Sequence, residues 1–357
     1  NSDYVCTICN NKHVHNLSYD EKTHWYDCND ICDKSADKVN HTFENGKCEF
    51  CGFMKGSEGL IYSLNSDGIS YTIAGVESDI ENMISKVVIS EYYDGKPVTV
   101  IGEKAFYSKR ALSQVYIPKT IKTIKESAFS GCTALVEVNI PSSVKSIEEN
   151  VFENCYGITI YAQAKNKPSG WNTSDWRINQ FCYYPIVWDS DNNNVAEDGY
   201  IYFVDNERGI VKYGIKGNQA IVANQPITND NIELKAAVIY NEVTYSVTSI
   251  ANYAFYMNDV ITQIEIQRNT LTIGDYAFYG CSNLQELNWR ENGKYEIDVD
   301  VEKIGNCAFA ECNLLSEFVI PSTVTTIGAG MLQGCDKINK IIIPETVSKM
   351  GDYVFRG

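Results

Sequence analysis

Beyond residue 41 the chain has no histidine, although it continues to residue 357. A Ser-His-Asp or Cys-His catalytic arrangement therefore cannot be built from that remainder. Glycine-rich phosphate loops, dinucleotide-binding fingerprints and Gly-x-Ser-x-Gly elbows are missing as well, which removes the usual sequence signs of nucleotide binding and serine hydrolysis. No apolar run approaches the ~20 residues of a spanning helix, and no basic-then-apolar segment opens the chain. Direct membrane insertion is not expected. Positive charge is in deficit too: 30 Lys and Arg against 46 Asp and Glu leave a net charge of −16. Such a surface repels nucleic acid and anionic membranes, so neither is expected as a partner.

What the chain does have is periodic. Ala128-Phe129 with Cys132 returns as Val151-Phe152 with Cys155, Ala277-Phe278 with Cys281, Ala308-Phe309 with Cys312, and Met331-Leu332 with Cys335. Within each run the step is 23 residues, except for 31 between Phe278 and Phe309. A fixed period of this size marks a solenoid, in which one short unit cannot bury its apolar face alone and stability comes from stacking. Two units also carry Leu-x-x-Val-x-Ile-Pro, at Leu112, Val115, Ile117 and Pro118 and at Leu135, Val138, Ile140 and Pro141. Period-two alternation predicts a short strand with Val115 and Ile117 inward and Tyr116 outward.

The plan occurs twice. A hairpin around Asp67-Gly68 is predicted by the alternation of Leu60–Leu64 and Ile69–Ile73, and repeats follow at Phe106, Phe129 and Phe152. The segment from Pro168 to Trp188 breaks the period and reads as a cap, while 189–199 reads as a linker. A second hairpin, from Gly199 to Tyr213, then precedes repeats at Phe255, Phe278, Phe309, Leu332 and Phe355. Three domains are expected: a Cys/His module at 1–52, a first array with its cap at 53–188, and a second array at 189–357. The last stops inside a repeat, as expected of a fragment.

Ile140-Pro141-Ser142-Ser143-Val144-Lys145-Ser146-Ile147 followed by Val151-Phe152-Glu153-Asn154-Cys155, with its equivalents over 88–160 and 238–357, resembles the BspA-like, or Treponema-type, leucine-rich repeats of surface proteins. The resemblance implies a repeat solenoid, mostly β or α+β, with a parallel sheet on one face. It also implies adhesion or contact with a host or matrix. The Cys slot holds Lys109 and Asn258 in the first repeat of each array, where a polar residue suits a partly wetted end.

Cys132, Cys155, Cys281, Cys312 and Cys335 are read as a structural ladder of small apolar side chains, with Cys182 and Cys307 off it. Outward positions on the predicted strands include Tyr116, Val136, Asn139, Glu265 and Asn288. These form a candidate binding face, since each repeat adds a few side chains to one surface. The 31-residue step predicts a projecting Asn-Gly hairpin, with Trp289 and Tyr295 as further binding candidates. The cap tryptophans Trp171, Trp176 and Trp188 could stack a sugar, but packing on the last repeat is the simpler expectation.

Six cysteines and all four histidines lie in the first 51 residues. Cys6, Cys9, His15, His24, Cys28, Cys32, His41, Cys48 and Cys51 are candidate ligands for one or two structural zinc ions, because Cys-x-x-Cys turns present paired thiolates to a tetrahedral metal. Three disulfides are the alternative, but they leave the histidines unexplained. Thiolates dominate and no His-Glu-x-x-His occurs, so a closed structural site is expected rather than a catalytic one. The whole therefore predicts a non-enzymatic, monomeric protein, extracellular or at the cell surface, that binds a protein or glycan. The alternative is a spacer or accessory region of a larger secreted enzyme.

Overall fold

The computed structural model describes residues 55–78, 84–174, 176–179, 182–191, 193–205, 211–226, 228, 230–291, 294–295, 300–339 and 341–357, with five short strand backbones between residues 15 and 48. Cys6, Cys9, Cys32, His41 and Cys51 lie outside the described residues. His15, His24, Cys28 and Cys48 fall on strand backbones whose side chains are not described; there His15 stands opposite Cys28, and Tyr19 opposite His24.

Each turn of the solenoid contributes two strands to two parallel sheets. In the first array Lys86–Val88, Gln114–Tyr116, Glu137–Ile140, Thr159–Ala162 and Ile186–Trp188 form one sheet. Lys96–Ile101, Thr123–Ile124, Ser146–Ile147 and Gly170–Trp171 form the other. The second sheet is a correction: the sequence predicts only the Val-x-Ile strand, yet the Val-x-x-Ile segment after proline also pairs. Its buried column is Ile101, Ile124, Ile147 and finally Trp171, where the cap enters. Two-residue strands escape pattern reading because alternation needs a longer run. No helix occurs among the described residues, so the fold is a β-solenoid and the α+β expectation does not apply.

The Ala-Phe segment is a turn, closed by a left-handed residue on either side. Lys104, Ser127, Asn150, Tyr253, Tyr276, Cys307, Gly330 and Tyr353 precede it with positive φ, and a second such position stands just before the Cys slot in seven turns, from Ser108 to Gly334. Ser127 and Tyr253 are buried there, the other side chains at these positions are at least partly exposed, and Phe turns in. Phe106, Phe129 and Phe152 stack with centroids 5.2 and 5.7 Å apart, and Phe255, Phe278 and Phe309 stack at 4.8 Å. Offset stacking of this kind adds ~0.5–1.5 kcal/mol per pair to area burial.

Both opening hairpins form. Leu60–Leu64 pairs with Tyr71–Val76, and Asp67 closes the turn by accepting from the Ile69 and Ser70 amides and the Ser70 hydroxyl. Ile201–Asp205 pairs with Val211–Lys216, which pairs in turn with Gln219–Val222. The 189–199 segment is folded, with Asn193 bonded to Trp188 and Val195 and with Ala196 buried. The two arrays therefore meet directly. A Cβ on Gly157 would collide with the Pro226 backbone, the Tyr161 hydroxyl donates to the Tyr202 carbonyl, and Tyr156 packs edge-on against Tyr256.

Candidate functional site

The outward face of the Val-x-Ile sheet is in register from turn to turn. Gln114, Glu137 and Thr159 align in one row, and Asn139, Tyr161 and Val187 in the next, but Thr159 and Val187 are buried and Tyr161 packs with Val187 and Tyr202, so the second array covers that end of the face. Tyr116 and Asn139 are exposed, whereas Val136 is buried, against expectation. In the second array Glu233, Glu265 and Asn288 align, with Gln263 beside Glu286. Farther along, the face turns apolar: Val319 and Ile342 are paired and exposed. Partial desolvation raises the Glu137 carboxyl pKa, and nearby Lys212 opposes that shift.

Trp289 is not on this face. It is only 7% exposed, and its indole N–H donates to the Val319 carbonyl at 3.2 Å. Here the eight-residue insertion interrupts the sheet, and the indole supplies a bond across the gap. The inserted hairpin itself forms, with Arg290 opposite Tyr295 and Glu291 opposite Lys294; the Tyr295 side chain lies outside the described residues.

The cysteine ladder carries hydrogen bonds that an apolar reading misses. Cys132, Cys155, Cys281, Cys312 and Cys335 each donate S–H to the carbonyl of the Phe one turn earlier, at 3.0–3.2 Å. Burial pushes the Cys132 thiol up to about 12 and raises Cys155, Cys281 and Cys312. Such thiols are poor nucleophiles and poor metal ligands. Asn258 is 1% exposed rather than wetted. It holds the Val260 and Ile261 amides with its own side-chain oxygen. At the other end of the first array the cap continues the pattern. Trp171 and Trp176 are buried, Trp176 meets Phe152 edge-on, and the Tyr184 hydroxyl donates to the Phe152 carbonyl where a thiol would be.

Two features were missed from sequence. Tyr253, Tyr256, Tyr276 and Tyr279 stack in two parallel pairs with centroids 5.2 and 5.4 Å apart, beside Cys307. Desolvation, together with Cys307, lifts Tyr276 to about 12. The twice-written Tyr-Ala-Phe-Tyr could have signalled this cluster. Lys212 carries no such signal. It is 1% exposed, donates to the Gly157 carbonyl of the first array at 2.9 Å, and lies against the Tyr202 ring. Burial lowers it to about 7, against the pull of Asp198 and Glu137.

The described residues contain no group of three or more His, Cys, Asp or Glu able to hold a metal, and no helix long and apolar enough to cross a membrane. The pattern for the BspA type leucine rich repeat region matches residues 99–168 and 239–357 in six copies. No curated protein matches the chain. Among solved structures, the chain is similar to a leucine rich cell surface protein of Faecalibacterium prausnitzii A2-165, with 18% identity over 84% of this chain and 91% of that one, TM-score 0.39. It is also similar to the pneumococcal vaccine antigen PcpA, at 15% identity over 83% and 84%, TM-score 0.37. The T. pallidum leucine rich repeat protein is 18% identical over 83% and 84%, TM-score 0.28. With both arrays matched over more than half of its length, the chain belongs to the BspA-type leucine-rich-repeat family.

Proposed function

We propose that this is a non-enzymatic, monomeric interaction protein of the cell surface or extracellular space, binding a protein or glycan through the outward face of its Val-x-Ile sheets. The observation that carries this reading is the register of Gln114 with Glu137 and of Glu265 with Asn288, with Tyr116 and Asn139 exposed on the same face. Rows of independent side chains on a rigid frame suit recognition, since the core residues beneath keep the fold while the face varies. A panel of matrix proteins and glycans, presented to the whole chain, tests it. Saturable binding to one class is expected; silence across the panel favours the spacer reading.

The first 52 residues serve in this reading as a lead-in held by one or two structural zinc ions. The donor set is thiolate and imidazole, the set zinc prefers, and the backbone register puts His15 across from Cys28. Metal analysis with thiol counting tests this. Zinc is expected; three disulfides and no metal would overturn it.

A further inference from the structure

Beside the cap of the first array lies a cavity of about 410 Å³ that includes Asn166, Lys167, Thr173, Tyr183, Trp188 and Glu197 in its wall. It is separate from the strand face discussed above, and small-molecule sites typically have volumes of ~300–1,000 Å³. The Trp188 side of its wall is fixed. Trp188 is the last residue of its sheet, pairs with Ala162, rests against Trp171 with centroids 5.7 Å apart, and donates its indole N–H to Glu197 Oε1 at 2.7 Å. That bond leaves Glu197 Oε2 as an acceptor. The Asn166 amide, the Lys167 ammonium and the Thr173 hydroxyl make no side-chain hydrogen bond or ion pair among the described residues, although all line one cavity.

The inventory is mixed in a specific way. One carboxylate accepts, one ammonium donates, and an amide and a hydroxyl do both, while two rings supply apolar faces. Opposite charges on Lys167 and Glu197 cancel, so the cavity does not select an ion. Sugar hydroxyls both donate and accept, and the C–H face of a pyranose is apolar and weakly positive, which suits the negative face of an indole or phenol. We propose that this cap cavity binds a neutral saccharide unit, with Trp188 and Tyr183 stacking on the ring and Glu197, Asn166, Thr173 and Lys167 holding its hydroxyls.

Titration of the whole chain with a panel of neutral mono- and oligosaccharides, alongside acidic ones, tests the proposal. The chain is expected to bind a neutral saccharide saturably, and Glu197→Gln, Asn166→Ala and Lys167→Ala are each expected to weaken it about tenfold, the loss of one good hydrogen bond. All three positions are exposed, so thermal midpoints should not move. No neutral saccharide bound, equal binding in all three variants, or preference for an acidic sugar would overturn it. A ligand of the strand face stays bound in these variants, so the two readings fail separately.

Discussion

A phenylalanine and the thiol of the next turn act as a unit. Phe129 fills the core between Phe106 and Phe152 while its carbonyl accepts from Cys155. Cys132, Cys155, Cys281 and Cys312 are buried and raised in pKa, whereas the Cys335 thiol is lowered by its hydrogen bond with Cys312, and Cys307, though raised by burial, is only half-buried beside Tyr276. Alkylation of the native chain mapped by mass spectrometry should therefore label Cys307 ahead of Cys132, Cys155, Cys281 and Cys312, and unfolding should equalise them. The left-handed slots make a second expectation. Gly131 has φ +76°, and a Cβ there would sit 3.0 Å from the Ser108 hydroxyl. Gly131→Ala should cost about 1–2 kcal/mol in denaturant unfolding. Glu311→Gly, at the corresponding slot with φ +60°, should be neutral or mildly stabilising.

Elements end where a different group takes over the ladder bond. Tyr184 does this for Phe152 in the cap, so Tyr184→Phe should lower stability by about 1 kcal/mol in chemical denaturation while leaving the rest of the cap packed. The alternation around Val115 and Val138, the hairpin at Asp67-Gly68 and the 23-residue period were legible because each is a local pattern written several times. The second sheet was not, since two-residue strands such as Thr123–Ile124 carry too little alternation. Trp289 was read as a binding candidate from its closeness to the inserted hairpin, although alternation with the outward Asn288 turns it towards the core, where it pairs with buried Ile266. Only the third dimension shows that the insertion breaks the sheet beside it and draws the indole to the Val319 carbonyl. The cavity at the cap was legible only as far as Trp188 being one of three possible stacking residues.

Across the whole molecule, the two arrays form one packed body through a polar junction. Lys212, Asn224 and Gln225 are buried there, with Gln225 bonded to the Lys212 and Ala223 carbonyls and Asn224 to the Tyr253 carbonyl. No repeat pattern predicts this, because contact between arrays depends on how residues 189–226 fold back. Lys212 falls from 10.5 to about 7 on folding. Between those values the unfolded chain binds the extra proton, so this group makes stability rise with pH, and the native state is weakest below pH 7. Lys212→Met should therefore stabilise most below pH 7, by on the order of 4 kcal/mol, and the gain should fade towards pH 10. Thermal midpoints of both proteins across that range check this, since other titrations cancel in the difference.

The proposed binding surface is the outward strand face. Asn139→Lys and Glu265→Lys change that face in each array without touching the core, and the affinity of the whole chain for the ligand found in the panel is the quantity to measure. We expect at least one of the two to weaken binding about tenfold or more at an unchanged thermal midpoint. Binding equal to the parent in both variants, and in Tyr116→Ala, would contradict the account.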